Sequence, residues 1–245
     1  MASINTNYGA SIALQNLNKT NSELERTQNR INTGMKVSSA KDSGAIYSIA
    51  TSQRAAAASQ DAVRAGLQRT QSITDVALAA GDTITAALEE MKGLAVSIAG
   101  STGAAQTSYL AEYNALGTEI ASAITGASFD GVNSLTALGS NAAITAVNTG
   151  SITAANATTA NVDAAIAATT STLSTLGTQS KSLGRQISFV NKLQDALEAG
   201  VGNLVDADLA KESAKLTALQ TKQQLGVQAL SIANSSSQTP LGLFR

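Results

Sequence analysis

The chain has 245 residues and a formal net charge of −1; 13% of its side chains are charged, against the roughly 25% usual for globular domains, 3% are aromatic, and there is one proline and no histidine, cysteine or tryptophan. Without His or Cys, Ser-His-Asp and Cys-His catalysis and the His-Glu-x-x-His protease arrangement are impossible, so no enzyme, cofactor or metal centre is expected. Charges of both signs alternate and no aromatic platform exists, which argues against nucleic acid, and no run approaches the ~18 apolar residues of a membrane span.

Residues 8–32 form the first predicted helix. Ala10, Leu14, Leu17, Leu24, Ile31 and Met35 recur at coiled-coil spacing, with polar Asn21 and Gln28 at two further seam positions that weaken the stripe. Thr33-Gly34 ends the helix, since Gly34 can take the left-handed cap conformation. Residues 35–43 read as a polar bend, with Asp42 or Ser43 placed to cap the next helix. That second helix, 44–99, carries Ile46, Ile49, Val63, Leu67, Ile84, Leu88, Met91 and Ile98; at the usual rise it would be on the order of 80 Å long. Gly100-Ser-Thr-Gly103 breaks it, and residues 108–125 give a third helix with Tyr109, Tyr113, Leu116, Ile120 and Ile124 on one side. Phe129-Asp130-Gly131-Val132 is a tight-turn signal. Residues 143–154 alternate β-branched side chains about Asn148-Thr149-Gly150 and read as a β-hairpin. The whole of 135–172, rich in Ala, Thr, Ser and Asn, reads as a solvated loop and hairpin, an exposed tip open to O-glycosylation.

From residue 163 a long helix and then a second one are predicted. Leu183, Ile187, Val190, Leu197, Val201 and Leu204 form one stripe; Leu209, Leu216, Leu219, Val227 and Leu230 resume it with the phase shifted near Asp206. Gly200, Gly202 and Gly226 weaken either segment as a free helix. Both ends of the chain thus carry thin, matching stripes. The expected fold is all-α: a long antiparallel helical rod or coiled-coil hairpin with a small β-hairpin region, closed by bringing the termini together. A thin seam does not offset an ordering cost of about 1–2 kcal/mol per residue, so residues 1–41 and 208–245 are expected to be mobile in the monomer and to fold on association. Asp206, Asp208 and Glu212 read as charges at a helix start, with Asp208 beside Lys211, rather than as metal ligands. Arg30, near Glu23 and Arg26, reads as a solvated helix charge, and Ser235 to Ser237 as a flexible join to the tail.

Several motifs resemble one family. The run Arg30-Ile-Asn-Thr-Gly34-Met-Lys-Val-Ser-Ser39-Ala40-Lys41-Asp42 resembles the flagellin N-terminal signature, and Phe129-Asp-Gly-Val132-Asn-Ser-Leu135 its turn after the third helix. Asp163-Ala-Ala-Ile166 through Leu176-Gly177, Asp206-Ala-Asp-Leu-Ala210 and Pro240-Leu-Gly-Leu-Phe-Arg245 resemble the C-terminal rod helix, its acidic junction and the terminal tail. The resemblance implies a subunit of the extracellular bacterial flagellum that polymerises for swimming; the alternative is a hook-filament junction protein. It also implies export through a narrow channel, with no cleaved signal expected at residues 1–9. The interval before Asp163 leaves room only for a hairpin, so the outer domains of larger members are expected to be missing.

On this reading residues 1–41 and 208–245 are inner-tube segments, 42–180 the N-terminal part of the rod and 181–207 its C-terminal helix. Subunit-interface candidates are Leu14, Leu17, Leu24, Ile31, Leu216, Leu219, Val227, Leu230 and Phe244, and the family reading adds Arg30 as an inter-subunit contact. The implied partners are further copies of the chain, an export chaperone, a filament cap and hook-filament junction proteins. The segment Leu88-Glu89-Glu90-Met91-Lys92-Gly93-Leu94, with Glu112 on the adjoining helix, resembles the surface read by an innate toll-like receptor. Activating members carry Arg where this chain has Glu90, so weak recognition is expected.

Overall fold

A computed structural model describes residues 7–236. These residues form seven helices and one two-stranded antiparallel sheet: α1 (Tyr8–Thr33), α2 (Gly44–Ala99), α3 (Gly103–Gly126), β1 (Ser128–Phe129), β2 (Val132–Asn133), α4 (Thr136–Gly139), α5 (Ala142–Asn148), α6 (Thr159–Val205) and α7 (Leu209–Ser236). The chain divides into a central unit, residues 59–193, and a terminal unit made of the residues on either side of it. Helices α2 and α6 each contribute to both units.

In the central unit Ile84, Leu88, Met91 and Ile98 of α2 are buried with Tyr113, Ile120 and Ile124 of α3 and with Val162, Ala165 and Leu176 of α6. The two long helices run antiparallel here. Lys92 Nζ meets Asp163 Oδ1 at 2.6 Å, the Ser180 hydroxyl donates to Asp75 Oδ1 at 3.3 Å, and Gly81 lies between these levels against Leu173. The stripe read along α2 is incomplete: Ile49 and Val63 are about half exposed.

The Asp-Gly turn stands as expected. Asp130 (φ 51°) and Gly131 (φ 75°) both occupy the left-handed region between paired Phe129 and Val132, as a two-residue hairpin loop requires. Asp130 Oδ2 also meets Arg69 at 2.6 Å.

The segment read as a second hairpin is helical instead. Asn141 accepts from Ala143 N at 2.9 Å and caps α5, whose Ile144 and Val147, three residues apart, are fully buried. Nor is 135–172 a solvated loop. Leu135, Leu138, Ile152, Ala157, Val162 and Ala165 all join the core. Two asparagines anchor the irregular stretches to α3: Asn114 donates to Ile152 O (3.1 Å) and accepts from Ile152 N (2.7 Å), while Asn133 donates to Ile124 O (2.6 Å) and accepts from Leu135 N (2.8 Å). Helix α3 starts at Gly103 rather than 108, and α6 at Thr159 rather than 163.

In the terminal unit α1 packs antiparallel on α7. Asn7 caps α1 by accepting from Ala10 N at 3.0 Å, a cap the sequence reading did not name, and Gly34 ends the helix at φ 69°, as that reading expects. The bends after α1 and α6 are tied through backbone: Lys36 N donates to Val205 O at 2.7 Å and Ala207 N to Gly34 O at 2.9 Å. Val37, Ala50, Val201 and Val205 are buried beneath this clasp. Asp42 does not cap α2. Its carboxylate accepts from the backbone and hydroxyl groups of Ser38 and Ser39 (3.1–3.2 Å), and that ring of donors lowers its pKa below the ordinary 3.8.

Candidate functional site

The α1–α7 pair follows the heptad rule on both helices. On α1 the residues turned inward are Ala10, Ala13, Leu17, Thr20, Leu24, Thr27 and Ile31; on α7 they are Glu212, Leu216, Leu219, Gln223, Gly226, Leu230 and Ala233. Both series alternate steps of three and four, which keeps one face on the partner helix. Fewer than half of these positions hold Leu or Ile. Gly226 permits close approach: a Cβ built there would lie 3.2 Å from Leu17 Cδ1.

Polar contacts fix the register. Asn7 Nδ2 donates to Ala233 O (2.7 Å), Gln223 Nε2 to Asn21 Oδ1 (2.9 Å), and Arg30 Nη1 to Glu212 Oε1 (3.0 Å). These fall at one end, the middle and the other end of the pair, all in the same antiparallel register. Among the described residues of the two helices only Thr27, Glu212 and Leu219 are buried. Thr27 Oγ1, Arg30 Nε and Glu212 Oε2 have no hydrogen-bond partner among the described residues. A seam whose tightest point is this polar cannot draw much stability from apolar burial.

The sequence candidates divide accordingly. Leu17, Leu24, Ile31, Leu216, Leu219 and Leu230 are spent, wholly or in part, inside the chain's own helix pair, whereas Leu14 (49% exposed) and Val227 (54%) remain largely uncovered. Phe244 lies outside the described residues. Arg30 is not a solvated helix charge: it is about a quarter exposed and pairs with Glu212, 182 positions away. Sequence reasoning sought local partners for both residues and missed the pairing; equal and opposite charges on two matching stripes were the available signal. Gln28 is exposed, and Thr27 takes the seam position given to it. Asp208 Oδ1 accepts from Lys211 N at 3.1 Å and so caps α7, while Asp206 bridges to Met35.

On the central unit Glu89, Glu90 and Lys92 of α2 and Glu112 of α3 are exposed and Leu94 is half-buried. Lys92 is held by Asp163. No helix of the described residues is long and apolar enough to cross a membrane.

Two helical ends of one chain that meet in a thin, register-locked seam fit a structural assembly protein. Comparison with known proteins names the class. Residues 4–139 match the bacterial flagellin N-terminal helical region and residues 159–244 the bacterial flagellin C-terminal helical region. The chain is 51% identical to the flagellin FljK of Caulobacter vibrioides over 269 aligned positions, covering 99% of this chain and 98% of that one. It is 37% identical to a flagellin of Brucella melitensis and 32% identical to flagellin C of Rhizobium meliloti, each over the full length of both chains. The chain belongs to the bacterial flagellin family, the non-enzymatic subunits that polymerise into the extracellular flagellar filament and serve motility.

Proposed function

We propose that within the filament residues 1–41 and 208–245 are the inner-tube segments, that 42–180 and 181–207 make the rod, and that α1 and α7 become fixed in place only when copies associate. The observation that carries this is the composition of the α1–α7 seam: few Leu and Ile, and a polar buried centre at Thr27, Arg30 and Glu212. Such a pair is marginal alone and gains from any neighbour that removes more apolar surface from water. Amide hydrogen exchange tests it. In the dilute monomer α1 and α7 exchange orders of magnitude faster than α3, and in sedimented filaments they are protected; termini equally protected in both states overturn the reading.

We infer further that this subunit meets an export chaperone, the filament cap and the hook-filament junction proteins through the same terminal segments. The support is that among the described residues of those helices only Thr27, Glu212 and Leu219 are buried. Pull-down of each partner by the full chain, lost on removal of residues 208–245, is the test.

Toll-like receptor recognition is proposed to be weak. Glu90 is an exposed acid where activating relatives carry a guanidinium, and Lys92 beside it is held by Asp163. In a reporter-cell assay Glu90→Arg raises the response; native potency equal to that of Arg-bearing flagellins removes the idea.

A further inference from the structure

Met35 is the one methionine of the described residues whose side chain reaches solvent; Met91, the other, is fully buried in the central core. Met35 extends the apolar stripe of α1 in the sequence, yet it lies beyond the helix end at Thr33 and forms an antiparallel bridge with Asp206. It is half-buried, packed with Ile46 and Leu204 against the buried Val37, Ala50, Val201 and Val205. Arg54 Nη2 donates to its sulfur at 3.8 Å. Arg54 is exposed, and no carboxylate pairs with it among the described residues. A thioether is a weak acceptor, so the guanidinium gains little from this contact as it stands.

We propose that Met35 is an oxidation site for peroxide and that Arg54 holds the resulting sulfoxide in the fold. In the reaction a sulfur lone pair attacks one oxygen of the peroxide, so that an S–O bond forms and the O–O bond breaks. The second oxygen leaves as hydroxide and takes up the proton of the transferred oxygen, giving water. The sulfur gives up an electron pair, and the peroxide accepts it. The product replaces a weak acceptor with a strong one beside a cation that has no better partner. A charge-assisted N–H···O bond of about 2.8 Å, bent at the oxygen and added to the sulfur–oxygen bond, spans a sulfur-to-nitrogen separation close to the one already present. The sulfoxide therefore fits between the two side chains with little movement of either. Without Arg54 the new oxygen is a polar group at the rim of a valine cluster, next to the main-chain clasp made by Lys36 N and Ala207 N. Arg54 is thus a positioning residue for the oxidised state and nearly idle in the reduced one.

Peptide mass spectrometry of the full chain after brief exposure to hydrogen peroxide is expected to show the Met35 sulfoxide forming at least about tenfold faster than the Met91 sulfoxide. A Met35 rate no higher than that of Met91 overturns the site. The role of Arg54 is read from exchange of the Lys36 and Ala207 amides in sedimented filaments. Peroxide is expected to change these rates by less than about threefold in the native chain and to raise them at least about tenfold in Arg54→Ala, while Arg54→Ala/Met35→Leu stays unresponsive. Equal responses of the native chain and Arg54→Ala overturn the capture. Should Arg54→Ala open the bend before oxidation, Met35→Gln decides with Arg54 in place, because its side-chain carbonyl is a neutral acceptor like the sulfoxide. Both amides should then keep their protection to within about threefold, and a loss of about tenfold or more sinks the capture. A chain that does not sediment fails the filament reading and leaves this one standing, since the same comparisons are then read on the soluble chain.

Discussion

Tyr113 is the largest fully buried side chain in the central unit, and its hydroxyl has no hydrogen-bond partner among the described residues. Burial raises its pKa from 10.0 to about 12 by penalising the phenolate. A pKa raised by folding means that the native state holds its proton longer than the unfolded chain. The contribution is therefore intact below pH 10 and is lost as pH climbs from 10 toward 12. Tyr113→Phe removes an unsatisfied group at little cost in packing. We expect a stability change between neutral and about 1.5 kcal/mol favourable, and a flatter alkaline decline, both read from urea unfolding across pH. Gly117 is the opposite case. A Cβ there would sit 2.6 Å from the carbonyl oxygen of Val147, so α5 must move as backbone. Gly117→Ala should destabilise the chain by about 1–3 kcal/mol, whereas Gly177→Ala, with open space around it, should gain about 0.5–1 kcal/mol from helix propensity. Chemical denaturation of the two variants side by side checks both.

Among the elements, α1 and α2 were legible because glycine punctuates them: Gly34 and the Gly100 to Gly103 break set limits that hydrophobic spacing alone leaves loose. Helix α5 was not. Ile144, Thr145 and Val147 favour a strand locally, and the deciding influences for a helix are the Asn141 cap and the bare backbone of α3 at Gly117, a contact across 30 positions that no local window contains. At the candidate site the existence of two matching stripes was legible, but which side chains point at each other was not, because α7 is apolar on more than one side. The Arg30–Glu212 pair tests how much the seam depends on a charge contact. Glu212→Ala strands a mostly buried guanidinium and should weaken the terminal pair by about 1–3 kcal/mol, seen as a lower filament dissociation temperature. Arg30→Met/Glu212→Leu should recover most of that loss, since apolar replacements of similar volume avoid the desolvation cost. The bend at Asp42 sets a separate acid limit. Its lowered pKa favours the folded bend above the unfolded value of 3.8, and that preference disappears as pH falls through the folded value. Asp42→Asn should be less sensitive than the native chain over that window, as measured by exchange of the Ser38 and Ser39 amides.

For the molecule as a whole, the two units differ in how they are held together. The central unit buries Ile, Leu, Met and Tyr side chains from five helices, α2 to α6, and the segments between them. The terminal unit relies on a small valine-rich cluster and a seam that is polar at its centre. We expect thermal unfolding of the monomer in two steps, terminal helices first, merging into one cooperative transition once filaments form; differential scanning calorimetry of both states checks this.

The clasp between the two bends is built from main-chain groups, Lys36 N and Ala207 N on the carbonyls of Val205 and Gly34. Chemistry of that kind is blind to which side chains are present but not to their number. Point replacements at Lys36 or Ala207 can accumulate there with little effect, while the gain or loss of a single residue in either bend slides one helix against the other and throws every later pairing out of step.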